Sequence, residues 1–87
     1  MDEQRKMAEM EAWLDRVCET LGVDRAELAA VTPEVLDQVG QVAHGPSRPG
    51  APMTAMVVGL AATKSDDFKA GITEAIAKLQ PLLGEAQ

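Results

Sequence analysis

The twelve residues Ala43-His44-Gly45-Pro46-Ser47-Arg48-Pro49-Gly50-Ala51-Pro52-Met53-Thr54 decide how the rest of this chain is read. They hold its only histidine, three of its five prolines and two of its seven glycines, and they lead into a run, Gly50 to Thr63, that carries no charge. Proline lacks the amide hydrogen that a helix interior or a sheet ladder needs, so this stretch interrupts regular structure and sets a tight crossing. The segments on either side repeat apolar residues with helical period. The expected fold is therefore all-α: a bundle of four main helices plus one short helix, with the central helix 53–62 buried by the others.

The burial of that helix follows from its lack of charge. Fourteen residues are too few to cross a bilayer, which takes about 20, so the run should find its apolar surroundings inside the domain. Met53, Met56, Val57 and Leu60 share one side, and Ala55, Gly59 and Ala62 form a strip of small residues on the other. Gly59 costs about 1 kcal/mol relative to alanine in a helix, which the close approach of a neighbouring helix would offset.

Toward the N-terminus, Thr32-Pro33-Glu34 reads as a helix start: a capping threonine, a proline at the first helical position and an acid behind it. Val35, Leu36, Val39, Val42 and Ala43 continue the period, so this helix should run to Ala43 or His44 and stop at Gly45. Ahead of it, Asp24 and Glu27 have capping-box spacing, which predicts a separate helix of about two turns. The first helix spans Asp2 to Leu21. Met7, Met10, Leu14, Val17, Cys18 and Leu21 form its apolar stripe, Asp2 and Glu3 complement its dipole, and Gly22 provides a left-handed cap. Trp13 lies beside the stripe and is expected at the core edge with one ring face wet, an interface role remaining the alternative.

Toward the C-terminus, Ser65-Asp66-Asp67 caps the last helix, whose inner face is Phe68, Ile72, Ile76, Leu79 and Leu83. Pro81 should end or kink it near Gln80, leaving Gly84 to Gln87 frayed. No linker or repeat divides residues 1–87, which read as one domain.

Composition narrows the function classes. At 87 residues, 46% hydrophobic and 25% charged, the chain suits one small globular core. Eight basic against fourteen acidic residues give a net charge of −6, which disfavours nucleic acid as a partner. One cysteine cannot form an internal disulfide, and neither a signal peptide nor a membrane span is visible, so a cytoplasmic location is expected. Monomer and weak homodimer are equally open. One Cys and one His in separate segments do not make a metal site. Cys18 on an apolar stripe reads as a buried, inert thiol. No paired carboxylates or phosphate-binding glycine loop appear, so neither catalysis nor a cofactor is expected.

The loop is the remaining candidate site. With a helix starting at Pro52, free amides at Met53, Thr54 and Ala55, the Thr54 hydroxyl, and positive charge from Arg48 and His44 would together bind an anion. The structural alternative is that His44 satisfies carbonyls at its helix end, Arg48 clamps the loop to an acid and the prolines fix the crossing.

The run Val42 to Thr54, followed by Val58-Gly59-Leu60-Ala61-Ala62, with Trp13-Leu14 ahead of it, resembles the signature of a small actinobacterial domain family of unknown function; the signature region is 42–62 and the likeness covers about Glu11 to Leu79. That family is similar to what is found beside, or fused to, the molybdenum cofactor guanylyltransferase, which attaches a GMP unit to molybdopterin. The resemblance implies a non-catalytic accessory domain with that transferase as partner, and assigns no catalytic residue. A purely structural interaction module and a small stand-alone enzyme are the alternatives.

Overall fold

The computed structural model describes residues 2–86, with side chains described through Gly84. It contains four helices: α1 (Asp2–Leu21), α2 (Arg25–Ala43), α3 (Gly50–Ala62) and α4 (Phe68–Ala86). No strand occurs among the described residues.

The turn between α1 and α2 forms as its residues dictate. Gly22 adopts φ +70°, a conformation that costs other residues a Cβ clash, and the Val23 amide closes the turn on the Cys18 carbonyl at 2.9 Å. Asp24 then caps α2, its carboxylate accepting the Ala26 amide at 2.9 Å.

The separate short helix is not observed. Residues 25–43 form one helix with Pro33 inside it, and the Thr32 hydroxyl donates back to the Leu28 carbonyl at 2.7 Å instead of capping a new start. Pro33 takes one amide from the helical ladder, at a usual cost of about 3 kcal/mol. Tertiary packing outweighs it. Val31 before the proline and Val35 after it enter the same core cluster, with Val58, Ala62 and Ile72, and a break between them would pull one of the two out of register. Lys69 of α4 also reaches across to the Ala30 carbonyl at 3.2 Å.

The same logic applies at Pro81, where an end or a kink is expected and the helix does not end. The proline lies within α4, which continues to Ala86. Leu83, two residues beyond, packs with Val42 and Ala51 in a second cluster, so the helix is held across the interruption by the side chain that follows it. The helix includes Gly84 to Ala86, the residues expected to fray, and Gln87 lies outside the described residues. At the other end of α4, Asp67 is the working cap: its carboxylate accepts the Ala70 amide at 3.2 Å, and Ser65 holds the Asp67 amide at 3.2 Å.

Helices α2, α3 and α4 pack on one another and contain both core clusters. α1 packs on α2 alone. The radius of gyration, 13.7 Å, exceeds the roughly 12 Å of a compact chain of this length, and the protein is only 17 Å thick along its shortest axis. α1 therefore lies against α2 at the edge of a three-helix core. Cys18 is buried, and Arg25 at the start of α2 bridges to Asp15 (Nε to Oδ1, 2.8 Å) and Glu11 (Nη2 to Oε1, 2.5 Å). The Asp15 hydrogen bond is the main cause of an Arg25 pKa raised above its ordinary value.

α3 reverses expectation most clearly. Its small residues face the core: Ala51, Val58 and Ala62 are buried, and Ala62 is wholly inaccessible. Its large residues face out, Met53, Met56, Val57 and Leu60 being 58–63% exposed. The expected buried central helix is thus buried on one face only. The reason is the distance at which α3 crosses α4, where Gly71 meets the Ala62 backbone and no Met or Leu side chain would fit.

Candidate functional site

Two features stand out as places where this domain could act: the loop between α2 and α3, and the outward surfaces of α3 and α1.

The loop occupies residues 44–49. α3 starts at Gly50, two residues before the expected Pro52, and this changes the chemistry of its N-terminus. Met53, Thr54 and Ala55 are the fourth to sixth residues of the helix, where amides belong to the helical ladder. Of the first-turn amides, Gly50 donates to Ser47 Oγ at 3.0 Å and Ala51 to the Arg48 carbonyl at 3.2 Å, while Pro52 has none to donate. The Thr54 hydroxyl donates to the Gly50 carbonyl at 2.8 Å. His44 caps α2, its ring Nδ1 lying 2.9 Å from the Gly40 carbonyl, so its proton sits on that nitrogen. Arg48 is exposed and has no side-chain partner among the described residues.

His44, Arg48 and Thr54 thus sit in one connection, at the end of α2, in the loop and in the second turn of α3, with no hydrogen bond joining them. Sequence reasoning passed over Ser47, which organises the connection. Its amide donates to the Val42 carbonyl at 3.1 Å while its hydroxyl receives Gly50, tying the end of α2 to the start of α3. A serine three residues ahead of an amide at a helix start is a capping signal, here masked by the prolines around it.

The second feature is exposed apolar surface. Beside the outward face of α3, a groove of about 550 Å³ runs between α3 and α4, floored by Val57, Ala61, Ala75 and Leu79 and edged by Lys64 and Lys78. On α1, Trp13 is 59% exposed, further out than the core edge expected for it, with the Arg16 guanidinium 6.0 Å from its ring centre. Val17, Thr20 and Leu21 join these two residues around a shallow depression. Among the described residues, no three His, Cys, Asp or Glu side chains cluster as metal ligands, and no helix is long and apolar enough to cross a membrane.

Fold and surface together define a small all-helical domain that exposes apolar faces, the one on α3 uncharged. The chain belongs to the family described as Domain of unknown function (DUF6457), whose model matches residues 5–87. No curated protein and no solved structure matches it.

Proposed function

We infer that the chain is a non-catalytic accessory domain that binds another protein, and that its partner is a guanylyltransferase of molybdenum cofactor synthesis. The partner's identity rests on the resemblance carried by residues 42–62 and Trp13-Leu14. The observation that carries the docking role is Trp13. A tryptophan that is mostly exposed, backed by a cation and set beside Val17 and Leu21, is the side chain whose burial contributes most at protein interfaces.

The test is co-purification from the native host with a tagged full chain, wild type and Trp13→Ala. The wild type should bring down the transferase and the variant should lose it while keeping its helix content. Recovery of the wild type without the transferase would remove the pathway assignment, and equal recovery with both chains would move docking away from α1.

A phosphate-bearing ligand at the loop is a second reading, favoured by the Arg48 guanidinium, which has no partner among the described residues. It would use that side chain rather than the amides at the start of α3.

A further inference from the structure

The outward face of α3 has a pattern that suits one kind of occupant. Met53, Met56, Val57 and Leu60 follow the spacing i, i+3, i+4, i+7, which is the seam of a helix that packs against another helix. Each is about three-fifths exposed, and together they form a patch on the order of 400 Å², comparable to the largest apolar patch that a soluble monomer carries, which is often functional. Gly59 lies on the flank of this face, and a Cβ built there would meet no atom within 4 Å. The close approach that a helix glycine permits is therefore not used within the chain.

We propose that this face is the seam of a two-fold dimer in which α3 pairs with α3 of a second copy. Charge selects this occupant. Two copies of a chain with net charge −6 repel, and a two-fold axis sets residues near it against their own equivalents, so like charges there would oppose directly. Of the four helices only α3 has no charged residue. α1, with six of the chain's fourteen acids, packs on α2 alone and touches neither α3 nor α4, which keeps much of the repulsive charge away from the seam. An unlike partner is usually oriented by complementary charges, and the four α3 side chains offer none, the charges of Lys64, Glu74 and Lys78 lying in the adjoining groove.

Area sets the strength of the dimer. A stable interface buries about 800 Å² on each partner, roughly twice what the four side chains supply. The groove between α3 and α4 adjoins them through Val57 and adds Ala61, Ala75 and Leu79 between the charged side chains Lys64, Glu74 and Lys78, less than the missing half, so the dimer is expected to be weak. The seam is independent of the Trp13 surface on α1, so loss of dimerisation and loss of the transferase are separate results.

Sedimentation equilibrium on the full chain, from low to high micromolar, tests the proposal. Wild type should double its mass as concentration rises. Val57→Lys and Leu60→Glu, which alter exposed positions, should stay monomeric at every concentration with unchanged helical circular dichroism. In a Cys18→Ser background, Val57→Cys should form an intermolecular disulfide on mild oxidation far faster than Ala29→Cys on α2. A wild type that remains monomeric at high concentration overturns the proposal and leaves the face to an unlike protein. A dimer that persists in both charged variants, or cross-links no faster from Val57 than from Ala29, overturns it in favour of another surface.

Discussion

Gly71 of α4 rests on the backbone of Ala62 in α3: a Cβ at Gly71 would lie 2.8 Å from the Ala62 carbonyl oxygen and 3.0 Å from its Cα. Both atoms are main chain and cannot rotate aside. This contact sets how closely the two helices cross. It explains why the inward side of α3 is alanine and valine while its methionines and Leu60 face outward.

Gly71→Ala should accordingly destabilise the protein although alanine is the better helix former. Overpacking of this kind costs about 1–3 kcal/mol beyond the helix gain. Gly40 in α2 is the control, because a Cβ there meets nothing within 4 Å, and Gly40→Ala should stabilise by about 1 kcal/mol. Urea melts of both variants should shift in opposite directions; two shifts of the same sign would mean that α3 and α4 are not in this close contact.

Gln38 is 1% exposed, and neither polar atom of its amide has a hydrogen-bond partner among the described residues. It lies on α2 between Val35 of one core cluster and Val42 of the other. An unsatisfied buried amide costs about 1–3 kcal/mol, so Gln38→Met, of similar shape, should raise stability by an amount in that range. Thermal melts read this directly as a higher Tm. A lower Tm would show that solvent inside the core satisfies the amide.

The loop separates into a structural serine and an arginine without a partner among the described residues. Ser47→Ala removes the acceptor of the Gly50 amide and should cost about 1 kcal/mol. Arg48→Ala should leave the melt unchanged, because the guanidinium holds nothing among the described residues. Calorimetric titration with GMP and inorganic phosphate decides the second reading: a binding heat present in wild type and absent in Arg48→Ala supports a ligand site, and a flat wild-type titration ends it.

Arg25 is the clamp between α1 and α2, through Asp15 and Glu11. Arg25→Ala should increase amide exchange along α1 while the three-helix core keeps its protection, since α1 packs on α2 alone. Raised salt should produce part of the same effect in wild type by screening the pairs. Uniform loss of protection across all four helices would instead show that α1 folds as one unit with the core.

Local chemistry alone determined much of this protein. Helical period placed α1 and the end of α2 at Ala43, Gly22 and Asp24 formed the turn their residues dictate, and the apolar stripe of α4 faces the core as Phe68, Ile72, Ile76, Leu79 and Leu83 indicated. Tertiary structure decided the rest. Pro33 and Pro81 are breakers by local rules, yet buried Val31 and Leu83 beside them keep each helix continuous, because a core contact outweighs one lost amide bond. Nor could periodicity decide which side of α3 turns inward: an uncharged helix has apolar residues all round, and the choice fell to the side small enough to meet Gly71. The methionine face was left open for that reason, and with it the surface on which the proposed dimer rests.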